Sequence, residues 1–131
     1  MPSLLGRLRW ALAWAALILA LCLMPGAAVP SWHWADLFNA DKLVHFALFA
    51  VLAILALKAV VKDAGWHVPA LAMAAVILYG GLLEAMQMLT ALGRRGDWND
   101  AAANALGALG GWGFHRWRAL KERPAGKPID A

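Results

Sequence analysis

From Trp10 to Val29 the chain carries no charged side chain, and two more predominantly apolar stretches of similar length follow at about residues 43–61 and 68–92. Runs of this length fix the solvent before they fix the fold. At ~1.5 Å per helical residue, about 20 residues cross the ~30 Å hydrocarbon layer of a bilayer. A fourth stretch, about 98–117, is richer in Ala and Gly and ends among Arg116, Arg118, Lys121 and Arg123. The expectation is an all-α polytopic membrane protein, a four-transmembrane-helix bundle over residues 1–123. Residues 124–131, with Pro124 and Pro128, read as a disordered tail.

Composition excludes the soluble alternative. Of the 131 residues, 63% are hydrophobic and 15% charged, with eight Trp, against roughly half and a quarter in soluble domains. The net charge of +4 does not indicate nucleic acid, because the cations stand at the ends of apolar runs, where they set topology. Cys22 is the one cysteine, so it forms no intramolecular disulfide and reads as a small apolar side chain. A basic start, an apolar run and Gly26-Ala27-Ala28 also describe a secretory signal. The run is longer than most signal cores, and the expectation is an uncleaved helix.

Orientation follows from the basic residues. In a four-crossing layout Arg7, Arg9, Lys58, Lys62, Arg116, Arg118, Lys121, Arg123 and Lys127 share one side, and only Lys42, Arg94 and Arg95 the other. The positive-inside rule then places both termini in the cytoplasm. Trp32, Trp34, Trp66, Trp98 and Trp117 fall near the two interfaces, where amphipathic rings are favoured.

What breaks the apolar pattern carries the functional signal. Charges in hydrocarbon cost several kcal/mol and ordinarily face a partner or cavity. Asp41, Lys42 and His45 open the second stretch, Glu84 and Gln87 interrupt the third, and Arg94, Arg95, Asp97, Asp100 and Asn104 introduce the fourth. All fall at the outer ends of their helices. Asp41 and His45 share a face at i,i+4, as do Glu84 and Gln87 at i,i+3. Asp97, Asp100 and Asn104 continue as Gly107 and Gly111 along one stripe, a small-xxx-small surface where a neighbouring backbone approaches closely. The pattern predicts an outward-opening polar cleft ending on Glu84, ~12 Å below the outer end of its helix, to which the first helix contributes nothing.

Asp41-Lys42-Leu43-Val44-His45-Phe46, then Glu84-Ala85-Met86-Gln87, then Arg94 to Asp100 leading into Asn104-Ala105-Leu106-Gly107 resemble the motif series of VanZ-like membrane proteins: D-K-x-x-H-F, E-x-x-Q and R…D-x-x-x-N-x-x-G. The resemblance covers about residues 41–111. It implies a small bacterial inner-membrane protein with a few helices. The family is named for an accessory protein in resistance to the glycopeptide teicoplanin, which links it to the cell envelope without implying a settled activity.

Each polar residue has two readings. Asp41 and His45 form a proton-transfer or metal pair, or else a helix-start hydrogen bond. Glu84 handles protons, or forms a structural salt bridge with Lys42, an arginine or His45. Arg94 and Arg95 suit bidentate phosphate binding, or snorkel to lipid head groups. Asp97 and Asp100 favour a helix N-terminus. The leading hypothesis is a cleft that binds an anionic lipid or polyprenyl-phosphate head group. Arg94 and Arg95 hold the anion, Asp41, His45 and Glu84 handle protons or a divalent cation, Asn104 and Gln87 orient them, and Lys42, Asp97 and Asp100 complete the binding set. This reading needs no cofactor and leaves a divalent cation open, since the ligand types suit one but no compact motif such as H-E-x-x-H is present. The alternatives are a scaffold whose polar cluster only locks the bundle and a small proton-coupled transporter. Gly80-Gly81 marks a flexible or closely packed point.

Overall fold

The computed structural model describes residues 3–25, 40–60, 64–90 and 97–122. Among these the chain is all α-helix: α1 (Leu4–Cys22), α2 (Ala40–Ala59), α3 (His67–Leu89) and α4 (Trp98–Lys121). The helices α1, α2 and α3 are each long and apolar enough to cross a membrane. α4 matches them in length at 24 residues but is less apolar, because its inner stripe is built from Asp, Asn, Ala and Gly.

The helix ends differ from the sequence expectation for local reasons. α1 starts at Leu4, where the Ser3 hydroxyl accepts the Gly6 N–H at 3.1 Å, and it stops at Cys22 rather than running on toward Val29. Pro25 accounts for the stop: it lacks an N–H, and its ring disfavours helical backbone at Met24. α2 starts three residues early, so Asp41 and Lys42 lie in its first turn. α3 tolerates Pro69 in its first turn, where backbone N–H groups have no intrahelical acceptor. It ends at Leu89, with Thr90 extended and its hydroxyl donating to the Met86 carbonyl at 2.8 Å. Glu84 is therefore only ~8 Å from the end of its helix. The Trp32, Trp34, Lys62 and Arg123 expectations and the 124–131 tail lie outside the described residues.

Each helix buries one stripe at helical spacing. In α1 it is Ala11, Ile18 and Cys22, in α2 His45, Phe49, Leu52/Ala53 and Leu57, in α3 Met73, Val76, Gly80, Leu83/Glu84 and Gln87, and in α4 Asp100, Ala103/Asn104, Gly107/Ala108 and Gly111. The outward faces are also apolar, with Leu12, Leu43, Leu78 and Leu106 all more than half exposed. A helix that is apolar all round belongs in lipid. α1 C-terminus, α2 N-terminus, α3 C-terminus and α4 N-terminus gather at one end, as the contacts below show, so the bundle runs up-down-up-down.

The tightest joint is between α2 and α4. A Cβ on Gly107 would overlap the carbonyl group of Phe46, and one on Gly111 that of Ala50. The two backbones therefore touch at two successive turns, the role expected of both glycines. α1 is held more loosely, by three side-chain bonds to backbone: Trp14 Nε1 to the Leu48 carbonyl at 3.0 Å, Tyr79 Oη to Ala15 at 2.6 Å and Gln87 Nε2 to Cys22 at 2.8 Å. Toward its N-terminus α1 stands off from α2 and α3, leaving an apolar groove of about 410 Å³ lined by Leu8, Leu12, Leu52, Ala56, Leu71 and Val76.

Substituting Gly107→Ala or Gly111→Ala should force α4 off α2 and cost about 1–3 kcal/mol, the usual range for overpacking. Gly113→Ala meets nothing within 4 Å and should be neutral or slightly stabilising. Thermal unfolding in detergent separates the two outcomes.

Candidate functional site

The α2–α4 joint places Asn104 beside His45, one turn from Gly107. Gly80 on α3 makes room for them, since a Cβ there would come within 3.0 Å of both the Asn104 Cβ and the Phe49 ring. Gly81 has open space around it, so only the first of the glycine pair is a packing point.

His45 is 5% exposed, Glu84 1%, Asn104 1% and Asp100 6%. The His45 Nδ1 lies 2.9 Å from Asn104 Oδ1. An amide oxygen can only accept, so Nδ1 carries the hydrogen. The neutral ring then keeps its lone pair on Nε2, which faces Asp41 Oδ1 at 3.8 Å. Glu84 Oε1 lies 3.9 Å from His45 Nδ1, and Glu84 Oε2 accepts the backbone N–H of Asp97 at 3.3 Å. Glu84 thereby ties the end of α3 to the start of α4.

Lys42 sits over the mouth of this cluster, its Nζ 3.6 Å from both Asp97 Oδ2 and Asp100 Oδ1. Of the partners open to Glu84 in the sequence, the structure brings His45 near it and commits Lys42 to the two aspartates. Asp97 caps α4, accepting the Asn99 backbone N–H and the Asn99 side-chain N–H on Oδ1, both at 2.9 Å. Those bonds, with Lys42 nearby, hold the Asp97 carboxyl below the usual aspartate range. The capping reading thus fits Asp97, while Asp100, Asn104 and Glu84 point inward.

Four buried polar side-chain atoms have no hydrogen-bond partner among the described residues: Arg7 Nε near the start of α1 and, together at this end of the bundle, Glu84 Oε1, Asp100 Oδ1 and Asn104 Nδ2. A buried unmet group costs about 1–3 kcal/mol, and more when charged. Three such atoms in one place call for a physical explanation beyond packing. Asp41, His45 and Asp100 also bring one ligand-type atom each to within 4.8 Å of one another.

Asp41, Lys42, His45, Glu84, Asp97, Asp100 and Asn104 therefore meet at one end of the bundle. Gln87 is buried beside them, but its amide nitrogen goes to the Cys22 carbonyl. α1 thus touches the rim of the site, a link invisible in sequence because its acceptor is a helix-end backbone carbonyl. Asn99 was also missed; the Asp97-x-Asn99 spacing is its only signal. Arg94 and Arg95 lie outside the described residues, between Thr90 and Asp97 in sequence.

The depressed Asp97 carboxyl has a defined sign. Its stabilisation is complete above the ordinary aspartate value, about 3.9, and is lost as pH falls through its lower folded-state value. Asp97→Asn keeps a capping side chain and removes that charge, so its thermal midpoint should fall less steeply than wild type below about pH 4. The effect should be small, because the group is exposed and screened. Melting curves between about pH 3 and 6 check it, and superimposable slopes would contradict it.

Among comparisons with known proteins, a family model described as VanZ/LLP1 matches residues 6–119. No curated protein and no solved structure matches the chain. The matched span begins in α1 and ends in α4, well beyond the 41–111 motif segment. With its ordered motifs converging on one buried cluster, the chain belongs to the VanZ/LLP1 family.

Proposed function

We propose that the protein crosses the bacterial inner membrane four times, α4 being the fourth crossing, with both termini cytoplasmic, and that its outward polar cluster binds the anionic head group of a lipid or cell-envelope precursor. The observation that carries this is the buried Glu84–His45–Asn104 group at one end of an otherwise apolar bundle, with Glu84 Oε1 and Asp100 Oδ1 lacking hydrogen-bond partners among the described residues. Polar groups within a membrane helix bundle are expensive and mark ligand or ion sites. In this reading Arg94 and Arg95 clamp phosphate bidentately and Lys42 adds a mobile cation. His45, Asp41 and Glu84 move or hold protons, and Asn104 fixes the imidazole. Location at a membrane boundary favours a lipid-borne head group over a soluble anion, and gives the family's envelope link, glycopeptide resistance included, a physical basis.

A scaffold reading is favoured by the same bonds, because Glu84–Asp97 and His45–Asn104 lock α2, α3 and α4 together. The two separate in purified protein. Glu84→Gln, His45→Ala and Arg94→Ala should each weaken binding of labelled polyprenyl phosphates or phospholipids in folded material by about ten-fold or more, as loss of a charged hydrogen bond does. Unchanged binding in all three, with only lowered melting temperature, would replace the head-group reading with the scaffold. Proton flux in proteoliposomes that vanished with Glu84→Gln would instead indicate a transporter.

A further inference from the structure

We infer that Asp41, His45 and Asp100 form a site for a divalent first-row transition ion of the Zn2+/Mn2+ class at the outer end of α2 and α4. The inference deepens the head-group reading and rests on it for what the ion does there, which is to meet the oxygens of a phosphate. The site itself stands on three separate features of the chain.

The ligand set comes first. One imidazole nitrogen and two carboxylate oxygens, drawn from two helices, lie within 4.8 Å of one another, and the Asp41–His45 pair is at 3.8 Å. Ligand atoms around a tetrahedral ion with ~2.0 Å bonds are about 3.3 Å apart, so side-chain shifts of about 0.5 to 1.5 Å, within reach of rotamer adjustment at the exposed Asp41, close the site. Mixed imidazole and carboxylate donors suit Zn2+ and Mn2+ better than Ca2+ or Mg2+.

The second feature is the histidine's outer support. Asn104 Oδ1 takes the Nδ1 hydrogen at 2.9 Å, and Glu84 Oε1 stands 3.9 Å from the same nitrogen. Metal-binding histidines ordinarily present one nitrogen to the ion while the other N–H goes to a carbonyl or carboxylate. In the neutral ring the free lone pair is then on Nε2, pointing toward the Asp41 carboxylate.

The third is Asp100, 6% exposed, with its Oδ1 directed into the cluster and lacking a hydrogen-bond partner among the described residues. Lys42 Nζ approaches this oxygen to 3.6 Å and Asp97 Oδ2 to the same distance. Lys42 is the competitor for the ion. Its side chain is 36% exposed, so it can retreat onto Asp97 when the ion enters. Asp41, at 59% side-chain exposure, leaves the outer coordination positions open to water or a phosphate oxygen.

The test is titration of EDTA-stripped, detergent-purified full-length protein with Zn2+ alone and Mn2+ alone, by calorimetry and, for Mn2+, by electron paramagnetic resonance. The expected result is one saturable ion per chain. His45→Ala and Asp100→Asn should abolish binding. Asp41→Asn changes an exposed ligand without disturbing the core and should weaken binding about ten-fold or more. Lys42→Met should tighten it several-fold by removing the competing ammonium, the reverse of what loss of a merely structural ion pair produces. Absence of saturable binding in folded wild-type protein would overturn the site, as would equal binding in the Asp41→Asn and His45→Ala variants. Polyprenyl-phosphate or phospholipid binding that persists in EDTA with no ion bound would overturn the ion site and leave the head-group reading standing. Ion binding without either lipid would do the reverse.

Discussion

Gly107 and Gly111 lie against the carbonyl groups of Phe46 and Ala50, and the placement of every polar side chain in the bundle depends on that backbone approach. In lipid no hydrophobic effect draws helices together, so close packing of small residues sets which helices meet and in what register. With α4 fixed on α2 at two successive turns, Asn104 has one place to go, beside His45, and Asp100 is carried one turn further toward the start of α4. α3 then packs over this pair with Gly80 against Asn104 and Phe49, which aligns Glu84 with both. A larger residue at Gly107 would move Asn104 off the imidazole before it affected any apolar contact.

The electrostatics of the cluster follow from its depth. Glu84 is within ~8 Å of the end of its helix, where Lys42, Asp41 and Asp97 are at least partly exposed while His45, Asn104 and Asp100 are buried. The exposed groups are paired and capped, whereas the buried ones retain unmet oxygens. That division is the opposite of what stability alone favours, since buried polar groups are the ones that most need partners. It favours the proposed binding role over a purely structural one.

Much of this was legible in the chain. The three apolar runs give three helices long and apolar enough to cross a membrane, and the i,i+4 and small-xxx-small spacings name the faces that meet. The coincidence in depth of Asp41, His45, Glu84, Asp100 and Asn104 forecasts their convergence. The helix ends were less readable. α1 stops at Cys22 because Pro25 outweighs the continuing apolarity of Gly26–Val29, and α3 stops at Thr90 through a hydroxyl bond that no run of hydropathy records. Gln87 was assigned to the cleft by its spacing from Glu84. A helix face spans enough arc for one residue to turn inward and its neighbour toward α1, and only the position of the Cys22 carbonyl decides between them. Lys42 was equally ambiguous, since its choice between Glu84 and the two aspartates depends on how far α4 slides along α2.

The same reasoning explains why α1 is built differently from the other three helices. Its contacts run through Trp14, Tyr79 and Gln87 to backbone carbonyls, bonds that hold position without demanding close backbone approach, and it diverges along the apolar groove toward its N-terminus. α1 therefore packs against the bundle without entering the α2–α4 joint. Gln87, adjacent on the helix face to Glu84, bonds the end of α1 to the rim of the cluster. A shift of α1 would pull on Gln87 first, and through the same turn of α3 on the carboxylate that connects α3 to the cap of α4. The helix that supplies no ligand still bears on how the cluster is held.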